Sequence, residues 1–254
     1  MSVGELLPAS VFGFLLVFAR VGTLFMVLPT IGESFVSPQI RLVVALLTAG
    51  VLTPVLEPSL PRLPSHVGAL VVLIGGETLI GLFVGGLARL IMSGLQVAGT
   101  IIATQTSLAT GQQFDPTQGV QGTLVANLLS MTGLAVIFAT DLHLVLIGAA
   151  GESYKVFPAG QPPMLGDLAM AATATVAASF KMALQIGAPI IVYSMVFYLG
   201  LGAVNRLMAQ LQVFFVAQPL QILTSFVIIA LTLTAVYGWF ADYFAQAMLA
   251  IRIR

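Results

Sequence analysis

This sequence predicts an all-α fold: a hydrophobic multi-helix bundle associated with a membrane. Three observations carry that expectation. Lys, Arg, Asp and Glu make up 7% of the 254 residues while 59% are hydrophobic, too little charge to keep a domain of this size dissolved. The apolar residues fall in long continuous runs rather than in the alternation of half-buried strands. In a hydrocarbon setting only helices and closed barrels satisfy the backbone internally, and continuous runs select helices.

Six runs are candidates: Leu6–Leu28, Leu42–Leu56, Val67–Ile91, Gly122–Ala150, Leu168–Leu199 and Phe214–Ile251. A crossing needs about 20 apolar residues; several runs exceed this and Leu42–Leu56 falls short. Such uneven lengths suit a bundle that does not simply cross a flat membrane. Leu6–Leu28 carries Arg20 inside it and closes at Pro29. It lacks a basic leading segment, since its first charge is Glu5, so it reads as a retained helix rather than a cleaved signal peptide. A turn with Gly32, Glu33 and Pro38 leads to Arg41, which opens a short second helix ending near Pro54. Pro54, Pro58, Pro61 and Pro64 then make a stiff connector that excludes helix.

Val67–Ala109 stays apolar too long for one simple crossing and is dense in glycine. Gly81 and Gly85 form a GxxxG pair, the spacing that lets another helix approach closely, although glycine is also simply common in membrane helices. Toward its end Gln96, Thr100, Thr104 and Ser107 fall on one helical face. That stripe either bonds a partner helix or lines a wet passage. The polar loop Gly111–Gln121 (GQQFDPTQGVQ) follows, then Gly122–Ala150 as one helix. A second break at Pro158–Gly166 precedes a helical hairpin, Leu168–Leu199 and Leu211–Ile251, joined through Gly200–Gln210, with Asp167 as the expected N-cap. With the N-terminus inside and six crossings, Arg62, Lys155, Arg252 and Arg254 fall inside and Arg41 and Arg206 outside, which favours that orientation.

The polar inventory excludes several functions. Nine basic and nine acidic side chains cancel, and no basic stripe points to nucleic acid. There is no cysteine for thiol chemistry, and two histidines, His66 and His143, are too few for a metal cluster. No Walker loop, HExxH, GxSxG or acidic metal repeat occurs, so neither catalysis nor a cofactor is expected. Asp141 and His143 are two apart, a spacing that points them in different directions on a helix. Arg20, Glu77, Arg89, Asp141, Lys181 and Asp242 lie inside apolar runs. Charge at membrane depth costs about 2.5–3.5 kcal/mol, so each needs a partner or water. Glu77 and Arg89 are too far apart to pair on one helix, so each is expected to meet another segment. Locking subunits together is favoured over an ion or proton relay, because no run holds two clustered carboxylates.

The ordered landmarks resemble the FliR/SctT family, the FliR subunit of the flagellar protein export gate and its injectisome equivalent. Four stretches carry the likeness: Arg20, Pro29, Pro38 and Arg41; Ala98-Gly99 through Gln105 to Asp115-Pro116; Phe138 with Asp141-Leu142-His143; and Pro189, Leu199-Gly200-Leu201, Asn205-Arg206, Gln210-Leu211, Phe214 and Pro219. They cover nearly the whole chain in order. Leu142 and Ser107 stand where the family usually has glycine, Ala209 where it has proline and Gln212 where it has asparagine.

The resemblance implies a non-enzymatic subunit of a type III protein export gate in the bacterial inner membrane. Residues 1–166 would be similar to FliP and 167–254 to the FliQ hairpin, in one helical hetero-oligomer that also meets FlhB-like and FlhA-like export proteins. Unfolded exported proteins would pass through. The loop with Gly111, Gln112, Gln113, Phe114, Asp115, Pro116 and Gln118 would plug the pore. Arg20, Glu77, Gly81, Gly85, Arg89, Arg206 and Gln210 are the expected subunit contacts. An injectisome gate subunit and a small-molecule or ion permease are the alternative readings.

Overall fold

The computed structural model describes residues 3–64, 66–108, 123–207 and 213–253, with side chains described from residue 11 to 249 inside those segments and from 215 in the last. The described residues form seven α-helices and one 3₁₀ turn. Helix α1 is Val3–Val27, α2 is Pro38–Leu56, and the 3₁₀ turn is Glu57–Ser59. Helix α3 is Val67–Gln105, α4 is Leu124–Ala139 and α5 is Leu142–Val156. Helices α6, Leu165–Leu207, and α7, Val213–Ile253, complete the chain.

Local chemistry sets most of the ends. Ser37 caps α2, its hydroxyl accepting from the Ile40 N–H at 3.4 Å, and Pro38 fills the first turn, where a missing N–H costs nothing. Pro54 does not end α2; it sits in the last turn and the helix tightens into the 3₁₀ turn before stopping. The Gly122–Ala150 run, expected as one helix, is two. They are bent by 76° at Thr140-Asp141, and Asp141 takes the left-handed conformation at φ 57°. Aspartate tolerates that conformation because its short side chain can bond locally. Helix α6 starts at Leu165, so Asp167 is not its N-cap; it lies in the first turn, where a carboxylate still suits the helix dipole. The same helix runs on through Gly200 to Leu207. The expected connector Gly200–Gln210 is therefore helical for most of its length, and 208–212 lie outside the described residues.

Four described helices are long and apolar enough to cross a membrane, or five if the bent α4–α5 pair is one broken span. The region read as too short to cross, Leu42–Leu56, qualifies once its ends extend to Pro38–Ser59. The described apolar part of α1, Val11–Val27, is shorter. Six straight crossings are thus replaced by this smaller and more irregular set, and the sidedness drawn from six no longer follows.

The chain packs as two units, Met1–Leu90 with Phe138–Val176 and Phe244–Arg254, and Ile91–Ile137 with Ala177–Tyr243. In the first unit Leu16, Val17, Val21, Leu24 and Leu28 recur at helical spacing on α1 and are buried. Helix α1 packs on α2 and α5. Ala45 and Ala49 on α2, Ile80 and Val84 on α3, and Leu146 and Ala150 on α5 are buried in the same unit. In the second unit the buried set is Leu95, Ala98 and Ile102 on α3, Leu129 and Ile137 on α4, Met182 and Ile186 on α6, and Phe240 on α7. Small residues bring the helices close: a Cβ on Gly99 would overlap Ala126, and one on Gly133 would overlap Leu95.

Candidate functional site

The first unit is held at its centre by a buried ion pair. Arg20 on α1 is 0% exposed and Glu77 on α3 is 2% exposed. The Arg20 Nε–H donates to Glu77 Oε2 at 2.5 Å. Its Nη1 donates to the Phe157 carbonyl at 2.9 Å and to Ser153 Oγ at 3.4 Å. The guanidinium plane lies over the Tyr154 ring, 3.8 Å from its centroid, a geometry that favours a cation. The second Glu77 oxygen accepts from the Gly160 N–H at 3.2 Å. One ion pair thus ties α1, α3, the end of α5 and the loop after it. At Gly160, φ is 81°, and an added Cβ would come within 2.8 Å of Pro61. Glycine is required there by both the dihedral and the space, and the proline-dense connector rests against it.

Gly81 and Gly85 lie one and two turns beyond Glu77. An added Cβ at Gly81 would overlap the Arg20 carbonyl and Thr23 Oγ1, and one at Gly85 would come within 2.8 Å of the Leu24 carbonyl. The helix they admit is therefore α1 of the same chain. Arg20, Glu77, Gly81 and Gly85, all expected at a subunit boundary, are brought together in the interior of this chain instead. Their physical reason for being present is the one anticipated, namely compensation of buried charge and close helix approach; the partner is different. Arg89 is exposed, and its Nη1 donates to the Val27 carbonyl at 3.3 Å, where a cation complements the end of α1. Arg206 is exposed in the last turn of α6. Gln210 and the loop positions Gly111, Gln112, Gln113, Phe114, Asp115, Pro116 and Gln118 lie outside the described residues.

In the second unit the polar stripe of α3 divides. Gln96, Thr100 and Thr104 are exposed along a shallow groove, and both threonine hydroxyls donate to backbone carbonyls one turn back. Ser107 is buried at φ 60°. Just beyond α3, its hydroxyl donates to Gln221 Oε1 at 3.5 Å. The Gln221 amide donates to the Gln105 carbonyl at 2.8 Å and to Tyr198 Oη at 3.1 Å. The Ser194 hydroxyl donates to Gln105 Oε1 at 2.8 Å. Side chains from α6 and α7 thereby hold the last turn of α3, the point from which the chain departs for the 109–122 segment. Sequence reasoning missed Gln221, Ser194 and Tyr198. The available signal was a glutamine two residues after Pro219 in an otherwise apolar run.

Among the described residues the remaining polar groups form no reactive constellation. Asp141 and His143 do not face each other; His143 stacks on Phe138 with centroids 5.1 Å apart. No group of three or more His, Cys, Asp or Glu able to hold a metal ion occurs among the described residues. A groove of about 620 Å³ lies in the first unit between Phe83, Phe157, Pro162, Pro163, Met164 and Asp167, and its lining is mostly apolar.

These features define a class: an all-helical membrane protein whose interior polar groups lock helices to one another. The chain belongs to the bacterial export proteins, family 1, the FliR/SctT family, which it matches over residues 11–247. It is 40% identical to the flagellar biosynthetic protein FliR of Caulobacter vibrioides, over 92% of this chain and 93% of that protein. It is 27% identical to the FliR of Bacillus subtilis, over 99% of this chain and 96% of that one. The secretion system apparatus protein SsaT of Salmonella typhimurium is also similar, 26% identical over 70% of this chain and 72% of its own length.

Proposed function

We propose that this chain is the FliR-type subunit of a type III protein export gate in the bacterial inner membrane, needed for flagellum assembly. The observation that carries the reading is the match to a flagellar FliR at 40% identity over nearly both full lengths. The helices of membrane-spanning length agree with the location. The flagellar system is favoured over the injectisome because the similarity to SsaT is lower and covers less of the chain.

In this reading the chain has no enzymatic role. It joins FliP-like and FliQ-like subunits in one helical assembly, and FlhB-like and FlhA-like proteins engage that assembly. Residues 1–166 take the FliP-like place and 167–254 the FliQ-like hairpin. Exported proteins pass unfolded, and the loop 111–121 closes the passage between them. Gly111 permits a tight turn, Asp115-Pro116 disfavours helix, and the glutamines bond water or backbone without adding charge. The clamp of Gln221 on the end of α3 supports a defined take-off point for that loop. Arg206, and Gln210 after it, offer polar contacts to neighbouring hairpins.

The test is deletion of the gene from its native host with plasmid complementation. The deletion strain is expected to lack filaments and to retain filament and hook proteins in the cell, with both restored by the intact gene. A deletion strain that swims and exports normally removes the proposal.

A further inference from the structure

The groove of the first unit joins a charged group to an apolar wall. Helix α6 contributes Asp167, Ala171 and Ala174 to its lining. These positions are four and three residues apart and share one helical face, so a carboxylate is followed by about 10 Å of small apolar side chains. Phe83 and Phe157 lie opposite one another edge to face, with ring centroids 6.2 Å apart, and both line the groove. Its volume of about 620 Å³ is that of a small-molecule site rather than of a surface ripple. The groove is also preformed. The Phe157 carbonyl is held by Arg20 and the Gly160 N–H by Glu77, and Pro158, Pro162 and Pro163 stiffen the segment between α5 and α6.

The chemistry at the two ends of the groove narrows the occupant. It opens beside α3 and α6, both long and apolar enough to cross a membrane, and Met164, Leu165 and Met170 around it are 75%, 66% and 65% exposed. An apolar slot on such a surface is open to acyl chains. Asp167 is the sole charged residue among the described lining, and it has no ion-pair partner among the described residues. No cation lines the groove to select an anionic headgroup. The carboxylate instead suits an ammonium. Beside it, the Asp167 and Leu168 N–H groups bond the Met164 carbonyl, while the Leu165 and Gly166 N–H groups, in the first turn of α6, have no acceptor within the helix. Such N–H groups at the positive end of a long helix suit a phosphate. A carboxylate and a helix start side by side thus complement a headgroup that carries an ammonium and a phosphate together.

We infer that this groove binds one zwitterionic phospholipid, with an acyl chain along Ala171 and Ala174 and the ammonium of the headgroup on Asp167. The inference needs the membrane location of the chain and not its role in a gate.

The experiment uses the full chain in the complex it forms in its native membrane, extracted in mild detergent. The probe is phosphatidylethanolamine with a photoreactive diazirine in one acyl chain, and labelled peptides are identified by mass. Label is expected to concentrate at Phe83, residues 162–164 and residues 171–174, and to be displaced by excess phosphatidylethanolamine but not by phosphatidylglycerol. Ala171→Phe, which fills the groove, is expected to lower that label, and Ala169→Phe, which lies outside the lining, to leave it. Asp167→Asn is expected to weaken phosphatidylethanolamine about tenfold, the scale of one lost hydrogen bond to a charged group, and so to abolish the preference between the two lipids. Even labelling over the exposed apolar side chains of α2 would show ordinary boundary lipid and overturn the inference. An unlabelled groove in an intact complex overturns it as well, and is what results if a neighbouring protein covers the site. Equal displacement by phosphatidylglycerol, or a preference that survives Asp167→Asn, overturns the headgroup assignment and the inference with it. Should the variants be degraded, the displacement measurement on the unaltered chain decides alone.

Discussion

Arg20 and Glu77, 57 residues apart, meet at 2.5 Å in the interior of the first unit, with both carboxylate oxygens engaged. Replacing Glu77 with alanine leaves a buried guanidinium with no counter-charge, at a cost of about 3–5 kcal/mol. The expected outcome is loss of the chain from membranes, measured by immunoblot after synthesis is blocked. The double replacement Arg20→Met with Glu77→Leu removes both charges and is expected to persist longer than Glu77→Ala alone. Equal decay of the two variants would show that the pair, rather than the stranded charge, carries the stability.

Gly81 and Gly86 differ in what a methyl group would meet. At Gly81 it overlaps the Arg20 carbonyl; at Gly86 nothing lies within 4 Å. Gly81→Ala is therefore expected to lower the thermal stability of the detergent-solubilised complex. Gly86→Ala is expected to leave it unchanged or to raise it by up to about 1 kcal/mol through helix propensity. Matching behaviour at both sites would contradict the close approach of α1 and α3.

Gln221 is 1% exposed and serves Gln105, Ser107 and Tyr198 at once. Gln221→Leu keeps the volume and removes the partner those groups share, costing about 1–3 kcal/mol for a buried group left unsatisfied. The expected signature is faster proteolytic cleavage near residues 106–124 in an otherwise assembled complex. Cleavage at the wild-type rate would show that the network does not hold the end of α3.

Deletion of Gly111–Gln121 is expected to leave the complex assembled but raise the ion conductance of the membrane, slowing growth in high salt. Substitutions at Phe114 or Asp115 are expected to give milder forms of the same defect. Conductance no higher than that of the intact gate would assign the sealing role elsewhere.

Expressed without FliP-like and FliQ-like proteins, the chain is expected to aggregate or be degraded, because exposed apolar side chains on α2, α6 and α7 are then left uncovered. Co-expression is expected to give one defined complex by native mass measurement. A monodisperse, conducting homo-oligomer of this chain alone would instead support a permease.

Much of this architecture was legible in the residues. Charge scarcity and continuous apolar runs specify membrane helices, whereas the Pro54–Pro64 cluster, expected to exclude helix, admits the last turn of α2 and a 3₁₀ turn before the chain becomes extended. The need for partners at Arg20 and Glu77 was also legible, because a charge in an apolar run is costly wherever it lies. Which partners was not, since a contact 57 residues apart leaves no trace in local spacing. The bend at Asp141 was hidden for another reason. One residue in a left-handed conformation breaks a helix without any glycine or proline to announce it. The opposite error occurred at Gly200 and Gly202, where glycine looked like a turn and α6 nevertheless runs through both, although an added Cβ at either would meet nothing within 4 Å.

Helix α6, at 43 residues, is about 64 Å long, roughly twice the thickness of the hydrocarbon layer. A bilayer can clothe only part of such a rod. Its greasy flank includes Val192, Met195, Val196 and Leu199 at 61–75% exposure, and whatever length of that flank lies beyond the bilayer has to be clothed by other proteins. Whether a copy is finished is therefore written on its own surface. A cell that makes more of this chain than it has neighbours for will display the surplus directly to its quality-control proteases, and the abundance of the chain will track the supply of its companions rather than its own rate of synthesis.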